Sequence, residues 1–336
     1  MSNKKHKKNK IHLPFVSICT PTFNRRPFFP AIIECVNNQI YPKEKIEWII
    51  IDDGTDPIKD LVENHPLVKY FQYDKKMTLG KKRNLMHEKS NGDIIVYMDD
   101  DDYYPPERIS HSVERLLSDK NVLCAGSSEI YIYFKHVEKM YQFGPYGKNH
   151  ATAGTFAFKR KLLNITNYDD EACLAEEKNF LKDYTIPFIQ LDPLKTILVF
   201  SHIHNTFDKR KLLSNLNTEF IKESSKTIDD FVKESHIKAF FLSIDDQLKD
   251  YIPGRPNMKP DVIKQMINTE RDRKEKYEKS NLKIDINLNG NNLKLTVFEV
   301  NQLLNKLKYD NEMLTKELNL VKINYNRLLT QIINNK

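Results

Sequence analysis

Three observations predict an α/β fold: a mostly parallel sheet with helices on both faces. Short apolar runs recur along the first hundred residues, at Phe15–Cys19, Glu47–Ile51 and Asp93–Met98. Segments with helical spacing separate them, and strands that alternate with helices form βαβ units. Each run ends in a polar cluster: Thr22-Phe23-Asn24, Asp52-Asp53, and the four aspartates Asp99 to Asp102. Parallel strands are buried on both faces and read as continuous apolar runs. Ligands of such sheets bind beyond the carboxyl ends of the strands. The three clusters are therefore expected to converge on one crevice.

The elements follow in order. Residues 1–12 read as a disordered basic tail. Phe15–Cys19 is the first buried strand, turning at Thr20–Asn24. Residues 28–39 suit a helix, with Ile32, Ile33 and Val36 on one side. The strand at 47–51 is closed by Asp52-Asp53-Gly54. A helix near 57–64, a strand at 68–73 and a basic helix over 79–90 come next, then the Asn91-Gly92 turn and the third buried strand. From about 210 onward the pattern becomes helical, near 225–250 and 260–278. Residues 282–295 alternate apolar and polar around Asn289-Gly290, a hairpin signal. Thr296 and Glu299 are spaced as a capping box. The last helix carries a heptad, with Val297, Leu304, Asn311, Leu318, Tyr325 and Ile332 at one core position and Val300, Leu307, Leu314, Val321 and Leu328 at the other. This pattern predicts a C-terminal coiled coil, and an Asn inside the seam favours two strands. The expected domains are a tail at 1–12, a catalytic domain at 13–210, a helical extension at 211–295 with its hairpin at 282–295, and a coiled-coil helix at 296–336. A homodimer through that helix is expected.

Composition narrows the function. The chain has 336 residues, 40% hydrophobic and 29% charged, as folded domains do. Its formal charge is +7, and the first ten residues hold five lysines. The remainder is close to neutral, so no basic groove for nucleic acid is expected. Four scattered cysteines (Cys19, Cys35, Cys124, Cys173) form no CxxC pair, which argues against structural zinc and for reduced thiols. No run of about 18 apolar residues exists, so no membrane span is expected. A cytoplasmic protein is the expectation. The Lys, Asn and Ile bias points to an A+T-rich genome, such as that of a parasite or of a virus acting in a host cytoplasm.

The chemistry lies in the aspartates. Four adjacent carboxylates repel one another and raise one another's pKa unless a cation is present. Hard oxygen ligands suit magnesium or manganese, and a cation held by one or two carboxylates uses its other positions for phosphates.

The segments Val16–Arg25, Ile50–Thr55, Lys82-Arg83-Asn84 and Gly92–Asp102 together resemble, in order and spacing, the successive signatures of glycosyltransferase family 2. The resemblance covers roughly residues 14–210. It implies a GT-A fold, a nucleotide-activated sugar donor and a divalent metal, Mn2+ or Mg2+. It implies that Pro21, Thr22 and Phe23 lie against the nucleoside with Arg25 nearby. Asp53 would bond the uracil ring and favour UDP, and Arg83 would contact the nucleotide. Asp99 and Asp101 would form the DxD pair, Asp101 as direct metal ligand and Asp99 or Asp100 nearer the ribose or a bound water. The run of four leaves that phase open by one residue. Ala175–Leu181 resembles the acidic pair before a helix, with Glu177 as catalytic base and Glu176 and Asp170 next in line. Ser201–Thr206 resembles the histidine segment that completes the metal shell, through His202 or its rival His204. Lys209 and Arg210 are candidates to close over the diphosphate, and Asn149–Thr155 to contact sugar and acceptor. The implied reaction is inverting transfer from a UDP-sugar to a glycan or glycoprotein hydroxyl. Three other classes compete. A sugar nucleotidyltransferase needs a Gly-rich loop, which Thr20–Phe29 lacks. A metal-dependent nuclease needs a basic groove. A coiled-coil scaffold leaves the acidic strand end without a purpose.

Overall fold

The computed structural model describes residues 13–174, 177–213, 219–281, 283–288 and 291–334. The expected basic tail, Glu176 and the Asn289-Gly290 turn lie outside them, as do the side chains of Val297 and Ile332. The described residues fall into two compact units, divided between Gln265 and Met266.

The first unit holds β1 (Val16–Thr22), α1 (Phe29–Asn37), β2 (Ile46–Asp52), α2 (Lys59–Val62), β3 (Val68–Gln72), α3 (Leu79–Lys89), β4 (Ile94–Tyr97) and α4 (Arg108–Ser118). It continues through β5 (Cys124–Gly126), β6 (Ile130–Phe134), β7 (Lys139–Phe143), β8 (Ala157–Lys159), α5 (Glu177–Phe180), β9 (Phe188–Gln190) and β10 (Leu198–Ser201). β11 (Ile221–Glu223), α6 (Ser235–Leu242), α7 (Ile244–Leu248) and the start of α8 (Pro260–Asn281) complete it.

The main sheet has the order β3-β2-β1-β4-β8-β5-β9. Its first four strands are parallel, and β8 runs antiparallel between β4 and β5. β1 and β2 are buried along their whole length, as continuous apolar runs require. Side chains alternate across the sheet. Trp48 and Ile50 join Ile32, Val36 and Ile109 on one face, while Ile49 and Ile51 join Met86, Phe158 and Phe180 on the other. Each such side chain contributes about 1.5–3 kcal/mol on full burial.

Register sets the crevice. Thr22 pairs with Asp52, which levels the ends of β1 and β2. Met98 donates its N–H to the Cys19 carbonyl, and the Thr20 hydroxyl donates to the Met98 carbonyl at 2.6 Å. The aspartate run therefore leaves the sheet beside Pro21–Asn24. A second sheet, β10-β6-β7-β11, connects through a bridge between Tyr103 and Leu198. That bridge brings the end of β10, and His202 just beyond it, to the aspartates.

The first unit runs past residue 210 because later segments complete its core. Ile228, Phe231, Val232, Ile237 and Phe241 pack into the main cluster, and Ile244 and Leu248 close on Phe28. The single helix expected over 225–250 is instead a capped 3-10 turn at Ile228–Asp230 followed by two short helices broken at Ser243. The Asp230 carboxylate accepts from the Thr227 N–H and fixes that turn, where periodicity alone suggested a helix.

The second unit holds the rest of α8, the hairpin β12 (Lys283–Leu288) with β13 (Asn291–Thr296), and α9 (Val297–Asn334). The hairpin register pairs Lys283 with Thr296 and Leu288 with Asn291. Thr296 and Glu299 form the expected cap, with the Thr296 N–H donating to Glu299 Oε2 at 2.8 Å. Leu304, Leu307, Leu314, Leu318, Val321, Tyr325 and Leu328 are all exposed along α9. No helix among the described residues is long and apolar enough to cross a membrane. All four cysteines are free and buried.

One core residue ties stability to pH. His87 of α3 lies in the second core cluster's aromatic packing, its Nε2 2.6 Å from the Tyr97 hydroxyl. Burial, reinforced by Arg83 and Arg160, pushes its pKa down to about 3. The unfolded chain then binds a proton near pH 6.5 that the folded chain refuses. Stability falls as pH drops below 6.5, by about 1.4 kcal/mol per pH unit for each such proton. Urea unfolding from pH 7 to 5 should show this slope, and His87→Gln should reduce it by roughly one proton. An unchanged slope in the variant would contradict the assignment.

Candidate active site

A crevice at the carboxyl ends of β1, β2 and β4 has an accessible volume of about 150 Å³. Pro21, Phe23, Arg25, Lys76, Lys82 and Asp99–Asp101 line it, joined by Thr206 and Lys259 from later in the chain. Of the three polar clusters, the β1 corner and the aspartate run line it, while Asp52 and Asp53 lie behind it. β1 ends in a tight corner. Asn24 has a left-handed backbone (φ 53°), and its Oδ1 accepts from the Asp56 N–H at 2.9 Å. A side chain at Gly54 would meet the Asn24 nitrogen at 2.7 Å, so this turn admits only glycine.

The two carboxylates after β2 have separate tasks. Asp52 accepts from the N–H groups of Gly54 and Ile58 and from the Tyr70 hydroxyl, which holds the loop. Asp53 is fully buried and pairs with Lys82 at 2.8 Å, while its other oxygen accepts from the Met77 N–H. Phe23 sits among three ammonium groups, those of Lys76, Lys82 and Lys259, at 5.3, 5.9 and 5.9 Å from its ring centre.

The aspartate run divides its work by direction. Asp99 faces Arg83 at 3.8 Å and the Gly154 turn. Asp100 lies 3.6 Å from Arg25, and Asp101 lies 3.4 Å from the same guanidinium and 3.3 Å from His202 Nε2. Asp102 turns back and accepts from the Phe200 N–H. Burial pushes Asp100 up to about 7 and Asp102 well above the carboxylate range, with repulsion from Asp101 adding to both. Burial opposes charge on Asp101 as well, but the His202 hydrogen bond and Arg25 outweigh it and hold it well below that range. At neutral pH Asp101 therefore carries the firm negative charge. Burial keeps His202 neutral, its pKa near 3 despite Asp101.

Arg25, expected beside the nucleotide, braces Asp100 and Asp101 from a buried position. Arg83 stacks on the Tyr97 ring at 4.4 Å. Of the two histidines, His202 reaches Asp101. His204 sits under Gly254, its Nδ1 2.9 Å from where a side chain there would begin. Lys209 and Arg210 lie in a 3-10 turn, and Arg210 is bound to Asp208 at 2.8 Å.

Among the described residues no three His, Cys, Asp or Glu side chains form a ready-made metal cage. Asp101 offers a carboxylate oxygen to the crevice, while His202 stands buried behind it, its Nδ1 accepting from the His204 N–H at 3.2 Å and its Nε2 facing Asp101 and the Asn205 side-chain amide. Asp101 fits a divalent ion that keeps most of its positions for phosphate and water, and His202 would join it at Nε2 only on giving up the proton that faces Asp101.

Glu177 opens α5, and its Oε1 accepts from the Ala153 N–H at 3.1 Å. Gly154, the next residue, lies against Asp99, 3.1 Å from Oδ2 to its would-be Cβ. The Ala153–Thr155 turn thus joins the aspartate run to Glu177. Asp170 instead accepts from the Asn84 side chain at 2.7 Å. Lys76 and Lys259 were not singled out by sequence. A lysine is ordinarily solvated, and the only local signal at Lys259 is the Pro-Gly and Pro punctuation around it at 253–260.

Residues 17–179 match the sequence profile of Glycosyl transferase family 2. An uncharacterized glycosyltransferase of Haemophilus influenzae is 28% identical over 123 residues, 35% of this chain and 48% of its own length. The GalNAc(5)-diNAcBac-PP-undecaprenol beta-1,3-glucosyltransferase of Campylobacter jejuni is 30% identical over 116 residues, 32% of this chain and 35% of its own length. The chain spans about half or less of these relatives. The mannosyltransferase PcManGT of Pyrobaculum calidifontis, solved with GDP-Man and Mn2+, aligns at a TM-score of 0.47 with 16% identity, covering 73% of each chain. Residues 17–179 of this chain form a domain of glycosyl transferase family 2.

The buried Lys82–Asp53 pair generates a stability test. Lys82→Met leaves Asp53 buried without its cation and should cost about 3–5 kcal/mol in denaturant unfolding. Adding Asp53→Asn should recover part of that loss. A cost below about 1 kcal/mol, the range of exposed pairs, would contradict the buried pairing.

Proposed function

We propose that this chain is a metal-dependent, inverting glycosyltransferase that moves a sugar from UDP to an acceptor hydroxyl on a glycan or protein. The observation that carries the reading is Asp101, backed by His202 at 3.3 Å, in a crevice that lysines also line. A donor diphosphate needs both its charge neutralised and its path fixed, and this mixture of groups suits that task.

Asp101 and His202 would hold Mn2+ or Mg2+, which when bound supplies charge stabilisation to the departing diphosphate. Phe23 and Pro21 offer the nucleoside an apolar wall, with Thr22 beside them. The uracil contact proposed for Asp53 would require its buried carboxylate, paired with Lys82, to open toward the crevice. Arg25 and Arg83 hold Asp100, Asp101 and Asp99 in place. Glu177 acts as general base. It takes the acceptor proton as the acceptor oxygen bonds to the anomeric carbon, while the bond from that carbon to the UDP oxygen breaks on the opposite face. One base and one departure face give inversion. The exposed heptad stripe of α9 is proposed to pair with a second copy, with Asn311 setting the register. The site of action is proposed to be the cytoplasm.

Release of UDP from a panel of UDP-sugars with Mn2+ tests the reading and separates it from a nucleotidyltransferase or a scaffold. Glu177→Gln should bind donor normally and lose roughly 100-fold or more in transfer. Near-normal turnover would remove Glu177 as the base. For assembly, Leu307→Glu with Leu314→Glu should convert a dimer to a monomer by light scattering. A wild-type monomer, or a variant that stays dimeric, would exclude the heptad as the joint.

A further inference from the structure

The outer wall of the crevice comes from a segment well beyond the family match. Residues 251–265 are tied down on three sides. Tyr251 donates to Asp56 at 2.8 Å, and the Pro253 carbonyl accepts from Asn24 at 2.9 Å. Asp261 pairs with Lys76 at 2.5 Å, and Gln265 accepts from the Cys173 N–H at 2.8 Å. The approach at Gly254 is close enough that any side chain would meet the Asn24 carbonyl oxygen at 2.8 Å. This strap therefore grips the β1 corner, the loop before α3 and the loop before α5.

The strap brings Lys259 into the crevice. Its side chain packs over Phe23, and only 8% of the residue is exposed. Nζ donates to the Thr206 hydroxyl at 2.9 Å. The other two lysines of the crevice have carboxylate partners: Lys82 has Asp53 and Lys76 has Asp261. Lys259 has none within ion-pair distance among the described residues. Burial and the neighbouring Arg25 push this amine well below the usual lysine range, and an anion bound at its spare donors would stabilise the charged form.

We propose that Lys259 binds a phosphate oxygen of the donor's nucleoside diphosphate, so that the segment after the family domain is part of the donor site. This rests on reading the crevice as a nucleotide-sugar site. It makes Lys259 a cationic clamp in the crevice that Asp101 also lines. The strap would then couple donor binding to the ordering of residues 251–265.

The test is calorimetry on the full-length protein with UDP and with uridine as probes, comparing wild type, Lys259→Gln and Lys259→Arg. Lys259→Gln should weaken UDP at least about tenfold, the scale of one charge-assisted hydrogen bond, and leave uridine unchanged. Lys259→Arg should recover part of the loss, and the salt dependence of UDP binding should flatten in Lys259→Gln. If Lys259→Gln does not fold, Thr206→Val, which loosens the ammonium, should give a smaller loss of the same selectivity. Equal losses for UDP and uridine, or an unchanged UDP affinity, would overturn the inference while the donor-site reading stands. A wild-type protein that binds no UDP would overturn both.

Discussion

Four carboxylates in succession at the end of a buried strand cannot all be charged, and the site is organised around that constraint. Arg83 faces Asp99, Arg25 lies against Asp100 and Asp101, and His202 meets Asp101. Burial holds Asp100 and Asp102 toward their neutral forms, while Asp101 keeps its charge. The result is a defined negative position at Asp101, beside the Arg83–Asp99 pair, rather than a diffuse acidic loop. It points at a neutral imidazole, the form of histidine that binds metals.

The surroundings follow from this. Arg25 can brace two aspartates only because the β1 corner turns sharply at Asn24, and that corner requires Gly54 and Gly254 to admit the approaching backbone. His202 reaches Asp101 only because the Tyr103–Leu198 bridge ties the second sheet to the segment after the aspartates. Lys82 and Asp53 neutralise each other beneath the crevice, and Lys76 and Asp261 do so at its edge. Lys259 has no carboxylate within ion-pair distance among the described residues, with Asp100 and Asp101 acting on it only from farther off, and the ligand class proposed for the crevice is anionic. Charge thus shapes the pocket and underlies the ligand class proposed for it.

Much of this was legible in the sequence, for physical reasons. β1, β2 and β4 are buried on both faces, so their apolar runs are unbroken, and their polar ends mark the crevice. The capping box at Thr296 and the hairpin over 283–296 were legible because turn and cap chemistry is local. The strands β5, β8 and β9 were not, since three residues carry no periodicity. The helix expected over 225–250 failed because Phe231 and Val232 follow the main core rather than a helical stripe. Lys259 was hidden because no local pattern distinguishes a buried lysine from a solvated one. Its role depends on a strap that returns to Asn24 across 229 residues of sequence.

The central claim is that the crevice holds a nucleoside diphosphate between the Asp101–His202 pair and the lysines that flank Phe23. A crystal structure with a UDP-sugar and Mn2+ tests it most directly. The account predicts the metal on Asp101 and His202, the diphosphate next to it and within reach of Lys259, and the base against Phe23 and Asp53. A donor bound elsewhere, or a metal that contacts neither Asp101 nor His202, would contradict it.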